Sequence, residues 1–231
     1  MKIKFCGLFR ECDIGFANAL MPDFVGFVFA ENSRRFVDFA LAKRLKVRLD
    51  SSIKAVGVFV DSPVECVCEA LQSKIIDMVQ LHGNENNAYI SALRESLQRN
   101  YGNATPIIKA IKMRNSHSLE KALESSADFI LLDSTNAGSG VAFEWNLLAQ
   151  KLQDSRGLDS HDSLVLDSQD FKRDFATRFF LAGGINADNI AKAMSLNPYA
   201  IDISSGIESQ GIKNFAKMQQ IIQMIRNNKA N

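Results

Sequence analysis

Eight short runs rich in β-branched and aromatic residues recur along this chain, and each leads into a longer segment with helical spacing. The runs are residues 3–6, 24–29, 55–60, 78–82, 106–111, 129–133, 178–182 and 200–203. Helical periodicity follows over 37–49, 64–71, 88–97, 119–125, 145–152, 188–194 and 214–226. Such alternation is the pattern of repeated βα units around a parallel sheet, and eight units predict a closed (β/α)8 barrel, an α/β fold of the TIM-barrel type. An open doubly wound sheet would bind a dinucleotide through a glycine-rich turn after its first strand, and no such turn follows residues 3–6.

A chain of 231 residues with 46% hydrophobic content is sized for one core, so residues 1–231 read as a single barrel domain. The stretch 153–174, rich in Ser and Asp, breaks the βα rhythm and reads as a polar surface insertion on the face opposite the chemistry. Lys and Arg number 27 against 26 Asp and Glu, a balance that points away from nucleic acid and anionic membrane and toward a small-molecule ligand. Cys6, Cys12, Cys66 and Cys68 form no CxxC pair and have no histidines at ligand spacing, so no metal site and no disulfide framework is expected. Reduced thiols, no signal-peptide core and no apolar run of ~20 residues together predict a cytoplasmic protein.

In a barrel of this kind the ligand contacts come from the C-terminal ends of the strands. Those ends carry Cys6-Gly7, Gln80-Leu81-His82-Gly83, Asp133-Ser134, Ala182-Gly183-Gly184 and Asp202-Ile203-Ser204-Ser205-Gly206. The glycines and serines after the seventh and eighth runs let backbone N–H groups approach an anion, which predicts a phosphate site at Gly183, Gly184, Ser204, Ser205 and Gly206. A thiol at Cys6 needs an electropositive setting to become a thiolate, and a carboxyl at Asp133, at the rim of an apolar strand, is suited to hold and deliver a proton. Gly138, Ser139 and Gly140 predict a mobile loop that shields the site, with helical structure resuming at Trp145.

The segments KFCG at 4–7, GFVFAENSRRFV at 26–37, VGVFVD at 56–61, VQLHGNE at 79–85, IIKAI at 107–111 and LLDS at 131–134 resemble those of phosphoribosylanthranilate isomerases. GSGVAFEW at 138–145, LAGGINADNI at 181–190 and DISSGIES at 202–209 continue the resemblance in the same order, leaving out only 153–174. The resemblance implies a cofactor-free isomerase of tryptophan biosynthesis that converts N-(5-phosphoribosyl)anthranilate to 1-(2-carboxyphenylamino)-1-deoxyribulose 5-phosphate by an Amadori rearrangement. It further implies Asp133 as acid, Cys6 as base, Arg35 as partner of the anthranilate carboxylate, Gln80 and His82 as pocket lining, and Asp202 near the ribose. Two positions depart from the family pattern: Arg34 stands where proline is usual, leaving open which of Arg34 and Arg35 meets the ligand, and Phe9 stands where threonine is common.

Two phosphate loops alone also fit an indole-glycerol-phosphate synthase or a ribulose-phosphate epimerase, but the lysine and glutamate of the one and the paired histidines and aspartates of the other are not at the matching strand ends. A parallel rearrangement on the histidine-pathway aminoaldose would call for aspartates on both the first and fifth strands. A silent barrel that only binds a sugar phosphate is the reading from a different class, and the presence of both Cys6 and Asp133 argues against it. The sequence is compatible with a monomer or a homodimer.

Overall fold

The computed structural model describes residues 1–102, 105–113, 116–134 and 178–227. Eight strands, β1 (Lys2–Cys6), β2 (Phe24–Val28), β3 (Lys54–Phe59), β4 (Met78–Leu81), β5 (Ile107–Met113), β6 (Phe129–Ser134), β7 (Phe179–Ala182) and β8 (Ala200–Ile203), pair in sequence order and in parallel to close a barrel. The closing ladder sets Lys4 opposite Asp202, and the first ladder sets Cys6 opposite Gly26.

Around the barrel lie α1 (Glu11–Leu20), α2 (Phe39–Arg48), α3 (Val64–Gln72), α4 (Asn87–Tyr101), α5 (Ser116–Leu123), α6 (Ile190–Ser195) and α7 (Phe215–Asn227). Each predicted run coincides with a strand, with ends that differ by one or two residues. The seven-residue β5 is the longest, reaching Met113 rather than residue 111. The periodicity did not mark α1, whose buried face joins the charged Asp13 to Ile14, Ala17 and Leu20. The predicted helix at 145–152, the shielding loop at 138–140 and the insertion at 153–174 lie outside the described residues.

Side-chain alternation along each strand divides the core in two. Outward-facing Ile3, Phe5, Val25, Phe27, Val79, Leu81, Ile130 and Leu132 pack under the helices. Inward-facing Phe24, Val56, Met78, Ile108, Leu131, Phe180 and Ala200 fill the barrel interior. The same inward parity continues up the strands to Lys4, Cys6, Gln80, Asp133 and Asp202, so polar groups crown an apolar plug at the C-terminal end.

After β8 the chain makes a short 3-10 turn (Ser205–Ile207) and a tight hairpin of β9 (Glu208–Ser209) and β10 (Ile212–Lys213). Its corner, Gln210 and Gly211, has φ of 51° and 81°, the paired positive values of a type I′ turn.

Candidate active site

Lys4 and Cys6 rise on the same face of β1. Lys4 has no solvent exposure, and its Nζ donates to Asp202 Oδ2 at 2.9 Å across the closing ladder. Gly26 of β2 makes room for both head groups, since a Cβ there would lie 2.8 Å from Cys6 Sγ and 3.3 Å from Lys4 Nζ. Burial pushes the Cys6 thiol above its ordinary value, while the Lys4 ammonium pulls the other way without cancelling it. Burial alone would lower Lys4, but Asp202 and then Cys6 outweigh it and hold the ammonium above its usual range. The electropositive partner that a reactive thiol requires is therefore Lys4, directly below it.

Across the mouth, Gln80 Nε2 lies 2.8 Å from His82 Nδ1, and His82 Nε2 lies 3.3 Å from Asp133 Oδ2. With Gln80 donating to Nδ1, the imidazole carries its proton on Nε2, which faces Asp133 Oδ2. Two buried acceptors, Gln80 Oε1 and Asp202 Oδ1, have no partner among the described residues, and both side chains line the same cavity. An unpaired buried acceptor costs about 1–3 kcal/mol, so each suits a hydroxyl brought by a ligand.

The two arginines differ in exposure. Arg35 is 18% exposed and lines the cavity, whereas the Arg34 side chain is 59% exposed and does not. Gly7, with φ of 77°, lets the Arg35 chain cross the end of β1, because a Cβ there would overlap Arg35 Cδ. Phe9 does not disturb this first loop, since Asp13 accepts from the backbone N–H groups of Phe9 at 3.2 Å and Arg10 at 3.0 Å. Backbone groups hold the turn, so the side chain at position 9 is not needed for it.

Gly183 and Gly184 follow β7 with φ of 93° and 65°, a left-handed path that suits glycine. Asn189 Nδ2 donates to the Gly184 carbonyl at 3.0 Å, and Asn189 Oδ1 accepts from Asn186 N–H at 2.9 Å, which fixes that loop. Ser204 Oγ donates to the Cys6 carbonyl at 3.0 Å, tying the last loop to the first strand. Gly206 does not line the cavity. Its missing side chain instead allows the turn after β8 to close on the Ile185 carbonyl, which locks the two loops together.

Cys6, Arg35, Gln80, His82, Asp133, Gly183, Gly184, Asp202, Ser204 and Ser205 thus surround one cavity of about 350 Å3, the size of a small-ligand site. Residues 3–224 match the family described as N-(5'-phosphoribosyl)anthranilate (PRA) isomerase. The chain belongs to the phosphoribosylanthranilate isomerase family. Curated relatives carrying that name include those of Endomicrobium trichonymphae, 37% identical over 97% of this chain and 98% of its own, and Caldanaerobacter subterraneus subsp. tengcongensis, 38% identical over 98% of each. The solved phosphoribosylanthranilate isomerase of Thermotoga maritima superposes with a TM-score of 0.77 at 28% identity, covering 98% of this chain and 99% of that one. Another, in complex with reduced 1-(o-carboxyphenylamino)-1-deoxyribulose 5-phosphate, gives 0.75 at 27% with the same coverage.

As a phosphoribosylanthranilate isomerase, the protein converts N-(5-phosphoribosyl)anthranilate to 1-(2-carboxyphenylamino)-1-deoxyribulose 5-phosphate, a step of tryptophan biosynthesis. Among the described residues no helix is long and apolar enough to cross a membrane, and no group of three His, Cys, Asp or Glu could hold a metal ion. Three polar residues at the candidate site escaped the sequence reading. Lys4 carries a signal that strand parity reveals, a charge at an inward position of β1. Glu208 and Lys213 carry none, because they lie in two-residue strands too short to show a period.

Proposed function

We propose that Asp133 and Cys6 act as the acid and base of the isomerisation, on a substrate whose carboxylate meets Arg35 and whose phosphate rests against Gly183, Gly184, Ser204 and Ser205, the four loop residues that line the cavity. Asp133 delivers a proton to the furanose ring oxygen as the C1′–O bond breaks and the anilino nitrogen forms a C1′ iminium. Once the proton has gone, the carboxylate accepts the His82 Nε2–H, so Gln80 and His82 stabilise the state that follows delivery. The Cys6 thiolate then takes the C2′ proton, and the released electron pair forms the C1′–C2′ enolamine, which tautomerises to the ketone. Asp202 Oδ1 and Gln80 Oε1 are free to accept the ribose hydroxyls.

The observation that carries this reading is that Cys6, Asp133 and Arg35 line one cavity together with Gly183, Gly184, Ser204 and Ser205. We take residues 1–231 as one barrel domain, a monomer or homodimer of the cytoplasm, acting on a sugar phosphate and not on nucleic acid or membrane, as the near-neutral charge supports.

The test is the loss of anthranilate-type fluorescence when freshly made phosphoribosylanthranilate meets the protein, beside the Cys6→Ala, Asp133→Asn double variant. Rapid loss with the wild type alone is expected. The single variant Asp133→Asn should lower kcat by about 10²- to 10⁴-fold with inhibition by inorganic phosphate little changed, and near wild-type turnover would remove Asp133 from the mechanism.

A further inference from the structure

Glu208 is a buried carboxylate outside the acid–base pair, and its surroundings are unusual. Four donors converge on it: Arg35 Nε at 2.7 Å, Arg35 Nη2 at 2.9 Å, Arg34 Nη2 at 2.7 Å and Lys213 Nζ at 2.6 Å. A carboxylate offers about four acceptor sites, so Glu208 is saturated. Three cations share a single negative charge, which leaves an excess of two positive charges at the rim of a cavity. Lys213 has no side-chain exposure and also donates to the Ser204 carbonyl at 3.0 Å and Oγ at 3.4 Å. Lys217 Nζ donates to the Glu208 carbonyl at 2.7 Å and holds the hairpin from α7.

The geometry of Arg35 makes this more than a structural knot. Glu208 takes the Nε and Nη2 edge of the guanidinium in a two-point pair, which fixes the plane of the fork. Arg35 has five N–H donors, and the three not spent on Glu208 have no partner among the described residues. Rotation about the last bonds of an unpaired arginine would let those donors wander; the pair removes that freedom before any ligand arrives.

We infer that Glu208 and Lys213 form a positioning pair that sets both anion contacts of the substrate at once: Glu208 aims the free edge of Arg35 at the substrate's carboxylate, and Lys213, through Ser204, fixes the loop that meets its phosphate. The inference rests on the reading of Arg35 and Ser204 given under Proposed function. It adds a specificity device to it, because a ligand lacking either anion gains nothing from half of the prearranged charge.

The test compares KM and kcat for phosphoribosylanthranilate in the wild type, Arg35→Ala, Glu208→Gln and the double variant Arg35→Ala, Glu208→Gln, together with the inhibition constant of inorganic phosphate. Arg35→Ala and Glu208→Gln should each raise KM by about tenfold with kcat within about threefold, and Glu208→Gln should add less than about twofold once Arg35 is gone, the non-additivity of residues that act together. Lys213→Met should weaken inhibition by phosphate by about tenfold while Arg35→Ala leaves it unchanged. If Glu208→Gln proves unstable, Glu208→Gln, Lys213→Met removes both buried charges and must still raise KM and weaken phosphate.

Equal effects of Glu208→Gln in the presence and absence of Arg35 would overturn the positioning role. A wild-type KM for Arg35→Ala would instead overturn the reading of Arg35, and phosphate inhibition that ignores Lys213 would sever the link to the loop.

Discussion

In the proposed mechanism Cys6 removes a proton from carbon, yet its thiol sits above the ordinary range because burial outweighs the ammonium beneath it. In the free enzyme at neutral pH the reactive thiolate is the minor form, so kcat/KM should climb on the alkaline side, past about 8.5, the value of an unperturbed thiol. Lys4→Met removes the one neighbour whose charge favours the thiolate most and should move that limb to higher pH. A limb that stays in place would show that Lys4 does not set the base. The same shift governs stability. A folded-state value above the unfolded one leaves the fold fully stable below about 8.5 and weakens it as pH rises through the Cys6 value, and Lys4, also raised, adds a loss of the same sign at higher pH. At this scale the chain was largely readable in advance: Cys6, Gln80, His82, Asp133 and Asp202 sit at strand ends, and alternation alone decides which of them face inward. Lys4 had the same parity but was passed over, because its partner Asp202 lies 198 residues away and no local pattern announces the pair.

The elements differ in how openly the sequence declares them. Strands announce themselves by β-branched runs, and α4 by its regular apolar face with Asn86 capping at Tyr89 N–H, 3.0 Å away. The first helix does not, since its start depends on Asp13 at the third helical position reaching back to two backbone donors and to Arg10, a cap specified by geometry more than by composition. Arg10 in turn donates to the Lys213 carbonyl at 2.9 Å, so this cap also braces the hairpin that holds Glu208. Asp13→Ala should therefore cost about 2 kcal/mol in urea unfolding and raise KM as well, whereas a cap with purely local effect would leave KM untouched. The hairpin itself, two residues a side, was invisible to periodicity, and with it went Glu208 and Lys213. Family resemblance located the arginines nearby, but it was their exposure in the folded chain that separated Arg35 from Arg34.

At the scale of the whole molecule, the barrel is stabilised at one end and reactive at the other. Phe180, fully buried at the N-terminal side of the interior, packs against Phe24, Phe129 and Tyr199 at centroid distances of 5.6, 5.6 and 5.5 Å. Phe180→Ala should cost about 3–5 kcal/mol by chemical denaturation while the surviving folded enzyme keeps its kcat/KM, and a matching fall in both would mean the two ends are not independent. The closing of β8 on β1 has a further consequence, one of timing. Cys6 leaves the ribosome well before the residues that complete its surroundings: its ammonium partner is neutralised by Asp202, its strand end is tied by Ser204, and its neighbouring arginine is held by Glu208, all about 200 residues further along the chain. No shorter nascent chain holds a finished site, however much of the barrel has formed. In refolding of the full chain, recovered turnover should lag the helical signal and the burial of aromatics, because the β1–β8 ladder joins residues about 200 positions apart.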